Sequence, residues 1–347
     1  MNPDFSASLT RFVDDYVLEN DFSGILRITV RGDILYEYCF GYSDREKETR
    51  ICRDDLFTLY SVTKPFCTIG LMKLVDRGLV DLNSHPSRYV PEAVGFDERV
   101  TIHQMLHHTS GLPDFHLSED FHYSAAPEDF DIRQGLKELS QCKSFFAPGM
   151  DAKYENINFN LAALIIENVS KTPYSEYMMR EVLSPLGMKS AYIHQKSIPF
   201  GNRVKGYQRI DGKAVWRQNS APWMFGAGDL VGSADDVYAL NRAVKERLLL
   251  TNESWNEVLT PSPLNHMGMG CTITNWHGKQ RITHNGGSIG FRNLHVYLPQ
   301  DDFDIIFLSN CDWVNARKLF AETIHDLYYG KDHIVSEEIP MDVGYAK

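Results

Sequence analysis

Residues 57–78 read "FTLYSVTKPFCTIGLMKLVDRG", and the fold turns on how this stretch is taken. From Ser61 to Arg77 the only glycine is Gly70, and Gly78 follows where a helix would stop. Val62, Phe66, Ile69, Leu71, Leu74 and Val75 cover more than one face of that helix. The pattern predicts a helix buried on several sides, near the middle of the molecule. It also sets Ser61 and Lys64 on one side, because positions three apart stand about 5–6 Å from each other at Cβ. Burial depresses an ammonium's pKa, so such a lysine could act as a base. The helix N-terminus would favour a developing oxyanion. The plain alternative is that Ser61 caps the helix and Lys64 points to water. The pair needs partners before it means chemistry.

Working outward, "FSGILRITVRGDILYEYCFGYSD" (residues 22–44) reads as two strands joined at Arg31-Gly32-Asp33. Ahead of it, "MNPDFSASLTRFVDDYVLEND" reads as an amphipathic helix. From about Val80 to Trp223 helical segments alternate with polar loops, "NFNLAALIIENVS" (158–170) and "YSEYMMREVLSPLGM" (174–188) being the clearest helices. After Leu264 come four β-type runs, "GMGCTITNWHG", "KQRITHNGG", "RNLHVYLPQ" and "DFDIIFLSN", closed by the helix "NARKLFAETIHDLYYG". Strands at both ends with helices between predict an α+β fold, one sheet assembled from the two termini. The expected division is a sheet domain of residues 1–80 plus 225–347 and a helical domain of residues 81–224, with a cleft between them.

Composition narrows the function. A chain of 347 residues with a formal net charge of −11 offers no basic stripe for nucleic acid. The same balance disfavours an anionic membrane surface. The N-terminus lacks the basic and apolar regions of a signal peptide, and no run of about 18 apolar residues occurs. The expected location is cytoplasmic. The six cysteines (Cys39, Cys52, Cys67, Cys142, Cys271, Cys311) are scattered without a C-x-x-C pair, so free and mostly buried thiols are expected.

Partners for the Ser-Lys pair lie further along. "PGMDAKYENINFN" (148–160) places Tyr154 two positions before Asn156. A phenol near cations can ionise below its usual pKa of about 10, and Asn156 offers both a donor and an acceptor. "ITHNGGSIGF" (282–291) puts His284, Gly286 and Gly287 at the end of a strand. Small residues there let a backbone N–H approach a carbonyl closely.

Ser-x-x-Lys, Tyr-x-Asn and His-x-Gly, in that order, resemble the penicillin-recognising serine hydrolases. The likeness is to the branch holding class C β-lactamases, D-alanyl-D-alanine carboxypeptidases, D-aminopeptidases and related esterases. "MLHHTSGLPDF" (105–115), "VLSPLGM" (182–188) and "GAGDLVGSADDV" (226–237) extend it, so that it runs from about Gly24 to Asn310. The resemblance implies an antiparallel sheet flanked by helices beside a mostly helical domain. It implies Ser61 as nucleophile, with Lys64 and Tyr154 sharing base and acid duty. The N–H groups of Ser61 and Gly287 would form the oxyanion hole beside Gly286, while Asn156 and His284 hold the substrate. The implied partner is a small-molecule or short-peptide substrate, with no cofactor and no metal.

Two other patterns compete. Gly286–Gly290 matches G-x-S-x-G, but that elbow needs a helix after the turn and "FRNLHVYLP" is strand-like. His103 and His107 have i,i+4 spacing, with His108, His116 and His122 nearby, yet no His-Glu-x-x-His occurs. Structural histidines are the expectation.

Many β-lactamases of the family carry lysine where this chain has His284. Without that permanent cation, carboxylate binding should weaken by about tenfold unless Arg292 or Lys153 substitutes. Carboxypeptidases of the branch also carry histidine here, but a cytoplasmic enzyme would not meet cell-wall peptides, so small esters or D-amino-acid-type amides are the expected substrates. β-Lactams or D-alanyl-D-alanine peptides are the alternative within the family, and a silent binding module is the alternative outside enzymes. Residues 113–148 and 205–225 would line the cleft.

Overall fold

Arg31 and Gly32 both take positive φ, 54° and 90°, as a two-residue hairpin turn of this hand requires. They fold β1 (Gly24–Val30) against β2 (Asp33–Phe40) behind helix α1 (Phe5–Asn20). The computed structural model describes residues 5–115, 118–121, 129–194, 203–217, 222–313 and 317–330. Short strands β3 (Tyr42–Asp44), β4 (Thr49–Arg50) and β5 (Phe57–Thr58) lead to a 3₁₀ turn, Tyr60–Val62, and then to α2 (Thr63–Asp76). The middle of the chain holds α3 (Ile102–Leu106), α4 (Ile132–Leu139), α5 (Ile157–Ser170) and α6 (Tyr174–Met178).

Four short strands follow: β6 (Tyr192–Ile193), β7 (Tyr207–Ile210), β8 (Lys213–Trp216) and β9 (Leu230–Gly232). After α7 (Ala234–Lys245) and α8 (Asn252–Val258) come β10 (Thr272–Trp276), β11 (Lys279–Ser288), β12 (Phe291–Leu298) and β13 (Phe303–Ser309), and then α9 (Arg317–Tyr329).

The main sheet runs β10-β11-β12-β13-β1-β2, every neighbour antiparallel. β1 pairs with β13 from Gly24↔Ser309 to Val30↔Phe303, so the two ends of the chain are stitched together at the middle of the sheet. The assembly of one sheet from both termini is as the sequence indicates.

Two apolar clusters cover the two faces. Leu26, Ile28, Leu294, Val296, Leu298, Ile305 and Phe307 face α1 and α9, meeting Leu9, Val13, Phe320 and Ile324. Ile25, Ile282, Tyr297, Ile306 and Leu308 face the other way, into a cluster shared with α2, α5 and α7. In α2 the whole run from Thr63 to Met72 is buried, which accounts for apolar residues on more than one of its faces. The cysteines are all free, but only Cys67, Cys271 and Cys311 are buried and Cys52 is exposed. Among the described residues no helix is long and apolar enough to cross a membrane.

Candidate active site

Ser61 lies in the 3₁₀ turn that runs straight into α2, and the residue before it, Tyr60, has a φ of 49°. A tyrosine in the left-handed region costs on the order of 1 kcal/mol, so neighbours must hold the turn. The Tyr60 hydroxyl donates to the Ile289 carbonyl at 3.1 Å. Asn293 Nδ2 donates to the carbonyls of Thr58 and Leu59 at 3.0 and 3.2 Å. Gly286 makes the close approach of β11 possible, since a Cβ there would stand 2.1 Å from the Leu59 carbonyl oxygen. No side chain caps either the turn or α2. The capping role for Ser61 therefore fails: its hydroxyl meets Lys64 instead.

Lys64 does not point to water. Its side chain is fully buried, and its ammonium makes three bonds: to Ser61 Oγ at 3.1 Å, Asn156 Oδ1 at 2.9 Å and the Ala227 carbonyl at 2.8 Å. An ammonium has three donors, and all are used. Loss of bulk water pulls its pKa down to about 7, against the opposing pull of Asp114, Cys67 and Asp229.

Tyr154 and Asn156 stand at the entry of α5. Asn156 occupies the N-cap position but spends its side chain on Lys64 rather than on the helix. Asp114 does the capping, its Oδ2 accepting the N–H groups of Asn156 and Ile157, the second at 3.3 Å. The Tyr154 ring lies 4.7 Å from Lys64 Nζ, stacks on His108 at 4.4 Å between centroids, and stands 6.0 Å from the His284 ring. His108 accepts the Glu155 N–H at 3.1 Å through Nδ1. Burial, then the charge of Lys64, keeps its pKa well below the ordinary histidine value, so it is a neutral ring under the phenol. The Glu155 carboxyl is equally buried and is pushed up to about 9 by lost solvation and by Asp114, with Lys153 opposing.

β10 pairs with β11 only as far as Thr272↔Thr283. Beyond that point β11 carries His284, whose Nδ1–H donates to the Asn285 carbonyl at 2.7 Å, and Gly286 and Gly287. Arg292 lies across Gly287, and one of its nitrogens donates to the carbonyls of Ser288 and Phe291 at 2.8 Å each. Lys153 stands 3.9 Å from Glu155.

The structure thus brings Ser61, Tyr154 and Asn156 around the buried Lys64 ammonium, with the His284 ring beside Tyr154. Ser288 falls at the end of β11, and the chain turns back into β12 rather than into a helix, so the elbow geometry is missing. His107 Nδ1 bonds the Met267 carbonyl at 2.8 Å, and His103 lies against its ring at 4.5 Å. His116 and His122 lie outside the described residues. Three groups escaped the sequence reading: the Ala227 carbonyl, Asp114 and Asp229. "MLHHTSGLPDF" and "GAGDLVGSADDV" were the signals that could have found the two carboxylates.

Known proteins resemble this chain over most of its length. The profile of the Beta-lactamase family matches residues 9–324. Penicillin-binding protein 4* of Bacillus subtilis is 26% identical over 93% of this chain and 76% of its own length. This chain spans 64–76% of the length of the first curated relatives it matches. The structure of a D-amino acid amidase from Ochrobactrum anthropi superposes with a TM-score of 0.78 at 21% identity, covering 94% of this chain and 98% of the other. EstCE1, described as a hydrolase with promiscuous acyltransferase activity, gives 0.77 at 19% identity, covering 93% and 98%.

Proposed function

This chain belongs to the Beta-lactamase family, a family of serine hydrolases, and from that premise we propose that it hydrolyses small esters or D-amino-acid-type amides through an acyl-enzyme on Ser61. The observation that carries the proposal is the buried Lys64 ammonium bonded to the Ser61 oxygen. Asn156 Oδ1 and the Ala227 carbonyl can only accept. When Lys64 gives up one proton, its two remaining N–H groups stay with those two acceptors and the lone pair faces the Ser61 hydroxyl. With a pKa of about 7 that form is populated near neutrality. Ser61 Oγ then attacks the substrate carbonyl carbon as its proton passes to Lys64, and the Tyr154 hydroxyl hands a proton to the leaving group. Water then attacks the ester so formed, giving a proton to the Tyr154 oxygen as Lys64 returns its proton to Ser61 Oγ, and the acid is released.

The oxyanion would be held by the N–H groups of Ser61 and Gly287. The Asn285 carbonyl is engaged by the His284 ring on the edge away from β12, and strand alternation sends the Gly287 N–H out of the same edge. That edge supports the assignment. Gly286 contributes by letting the strand and the Ser61 turn approach.

The substrate reading rests on His284, which is no fixed cation, and on the two possible substitutes. Lys153 is turned to Glu155, and one arm of Arg292 is committed to the hairpin. A D-amino acid amidase and a hydrolase with promiscuous acyltransferase activity among the structural neighbours fit the same choice. The test is kcat/KM for p-nitrophenyl butyrate, a D-amino-acid amide and nitrocefin on one preparation, with Ser61→Ala and a fluorophosphonate probe alongside. Ester or amide turnover that vanishes in Ser61→Ala, together with labelling of the native protein, is the expected result. A nitrocefin value near about 10⁶ M⁻¹s⁻¹ with poor ester hydrolysis would make it a β-lactamase. No labelling at all would leave a binding module.

A further inference from the structure

Lys64 takes two of its three bonds from residues in recognisable motifs, and the third from a backbone carbonyl 163 residues away. A carbonyl has no identity of its own in sequence. It is a ligand only if its turn is held in one conformation, and the holding group here is unusual. Gly226 has a φ of 70° and opens the turn. The N–H groups of Ala227 and Gly228 both return to the Met224 carbonyl at 2.8 Å. Asp229 closes the turn from the other side: its Oδ2 accepts the Gly226 N–H at 2.9 Å. The backbone of Asp229 is fixed in turn, its carbonyl accepting the His194 N–H at 2.7 Å. The next residue is pinned to α2, the Leu230 N–H donating to Thr63 Oγ1 at 3.0 Å.

A neutral side chain could close this turn. An asparagine oxygen would accept the same N–H without bringing a charge into a buried place. Asp229 is 8% exposed, and its second oxygen, Oδ1, has no hydrogen-bond partner among the described residues. The polar groups close enough to act on it are few. From α2 come Lys64 and Cys67, and from α6 comes Tyr174, whose hydroxyl meets the Cys67 thiol. Lys64 is the cation among them. On Lys64 itself, Asp229 acts together with Asp114, which lies at the start of α5.

We propose that Asp229 is a positioning residue for Lys64: its carboxylate folds the 226–229 turn so that the Ala227 carbonyl meets the ammonium, and its charge steadies that ammonium. The two roles separate by substitution. Asp229→Asn keeps the acceptor for the Gly226 N–H and removes the charge. Asp229→Ala removes both. Burial raises the Asp229 carboxyl to about 7 and lowers Lys64 to about 7, and the charge of each group opposes the shift of the other.

The inference rests on the reading of Lys64 as the base, and the experiment keeps the two apart. The Lys64 side chain is followed directly by its ¹³Cε resonance in lysine-labelled protein, assigned by its disappearance in Lys64→Ala. In parallel, the rate of Ser61 labelling by a fluorophosphonate is measured from pH 5 to 10. Asp229→Asn is expected to move the Lys64 midpoint about one pH unit toward acid, roughly a tenfold change in the ratio of charged to neutral lysine at a given pH. The acid limb of the labelling profile should follow it, with little change in melting temperature. Asp229→Ala should also lower kcat about tenfold or more with a smaller change in KM, because the turn itself loosens. A Lys64 midpoint that is the same in wild type and Asp229→Asn overturns the inference, whatever the activities. A midpoint that shifts while native Ser61 is never labelled leaves the positioning intact and removes the catalytic reading.

Discussion

The two faces of the main sheet are built from the same strands, but one is apolar and the other sets buried polar groups among its apolar ones. On the side of α1 and α9, β1, β12 and β13 present Leu26, Ile28, Leu294, Val296, Leu298, Phe303, Ile305 and Phe307. Rings interlock there, with Phe307 and Phe320 at 4.9 Å edge to face and Phe22 against Phe40 at 5.2 Å. On the side of α2 and α7 the same strands present Arg27, Thr29, Asn293, His295 and Asp304, all buried. Each of these polar groups is costly unless partnered. Arg27 pairs with Glu37 and Asp235, Asn293 holds the turn before Ser61, and His295 Nε2 meets Asn241 at 2.6 Å. The first face stabilises the fold by burial. The second gives up some of that stability to fix the position of a few polar atoms, and Lys64 is the extreme case.

Lys64→Met tests the contrast most sharply. Hydrolysis should fall by about 10³-fold or more, the scale of losing a positioned base. Stability should move the other way. The folded pKa of Lys64 is depressed to about 7 from its ordinary 10.5, so its burial costs nothing above about pH 10.5 and costs most below pH 7. Methionine should therefore raise stability by about 1–3 kcal/mol at pH 6, with the gain fading toward pH 10, once the orphaned acceptors are allowed for. Melting temperatures across that range, beside initial rates, decide it. A variant that is both inactive and less stable at pH 6 would mean that the ammonium holds the fold together.

On the opposite face, Phe307→Ala should reproduce the reverse pattern. Removing a fully buried ring should cost about 3–5 kcal/mol in denaturant unfolding. The folded fraction should keep its kcat within about twofold, as Phe307 packs in the cluster on the α1 and α9 side of the sheet. A large loss of kcat without a loss of stability would show that the two faces are coupled.

Glu155→Gln should have the smallest effect. The buried carboxyl is pushed up to about 9 from 4.5, so the folded state prefers it protonated. That preference favours folding fully below about pH 4.5 and is lost progressively as pH rises toward 9. Glutamine, neutral throughout, should be about 1–2 kcal/mol more stable than wild type at pH 7 and no more stable at pH 4. Equal stability at both pH values would place the carboxyl in contact with solvent or a cation.

Much of this was legible in the chain because it is local. The α2 run is apolar on several faces, Arg31-Gly32 fits a hairpin, and the four late β-type runs are set apart by turn residues. Ser61, Lys64, Tyr154, Asn156 and His284 stand in short motifs that together resemble those of a known family, and the structure sets them close to one another. Even the competing serine was separable, since Ser288 is followed by a strand-like run. What the chain left open was a matter of direction. Ser61 looked able to cap a helix, and only the left-handed Tyr60 turns its hydroxyl away from the helix end and toward Lys64.

The sequence by itself determined which groups are available: a serine, a lysine, a phenol, an amide and an imidazole, on a chain whose two ends must share a sheet. Tertiary structure alone decided what state those groups are in. Lys64 is a buried ammonium with a lowered pKa rather than a surface charge because α5, Tyr154 and the 226–229 turn close around it. Its partners Asn156 and Ala227 lie 92 and 163 residues away. A pKa is set by distance to charge and by the loss of water, and neither is written along the chain.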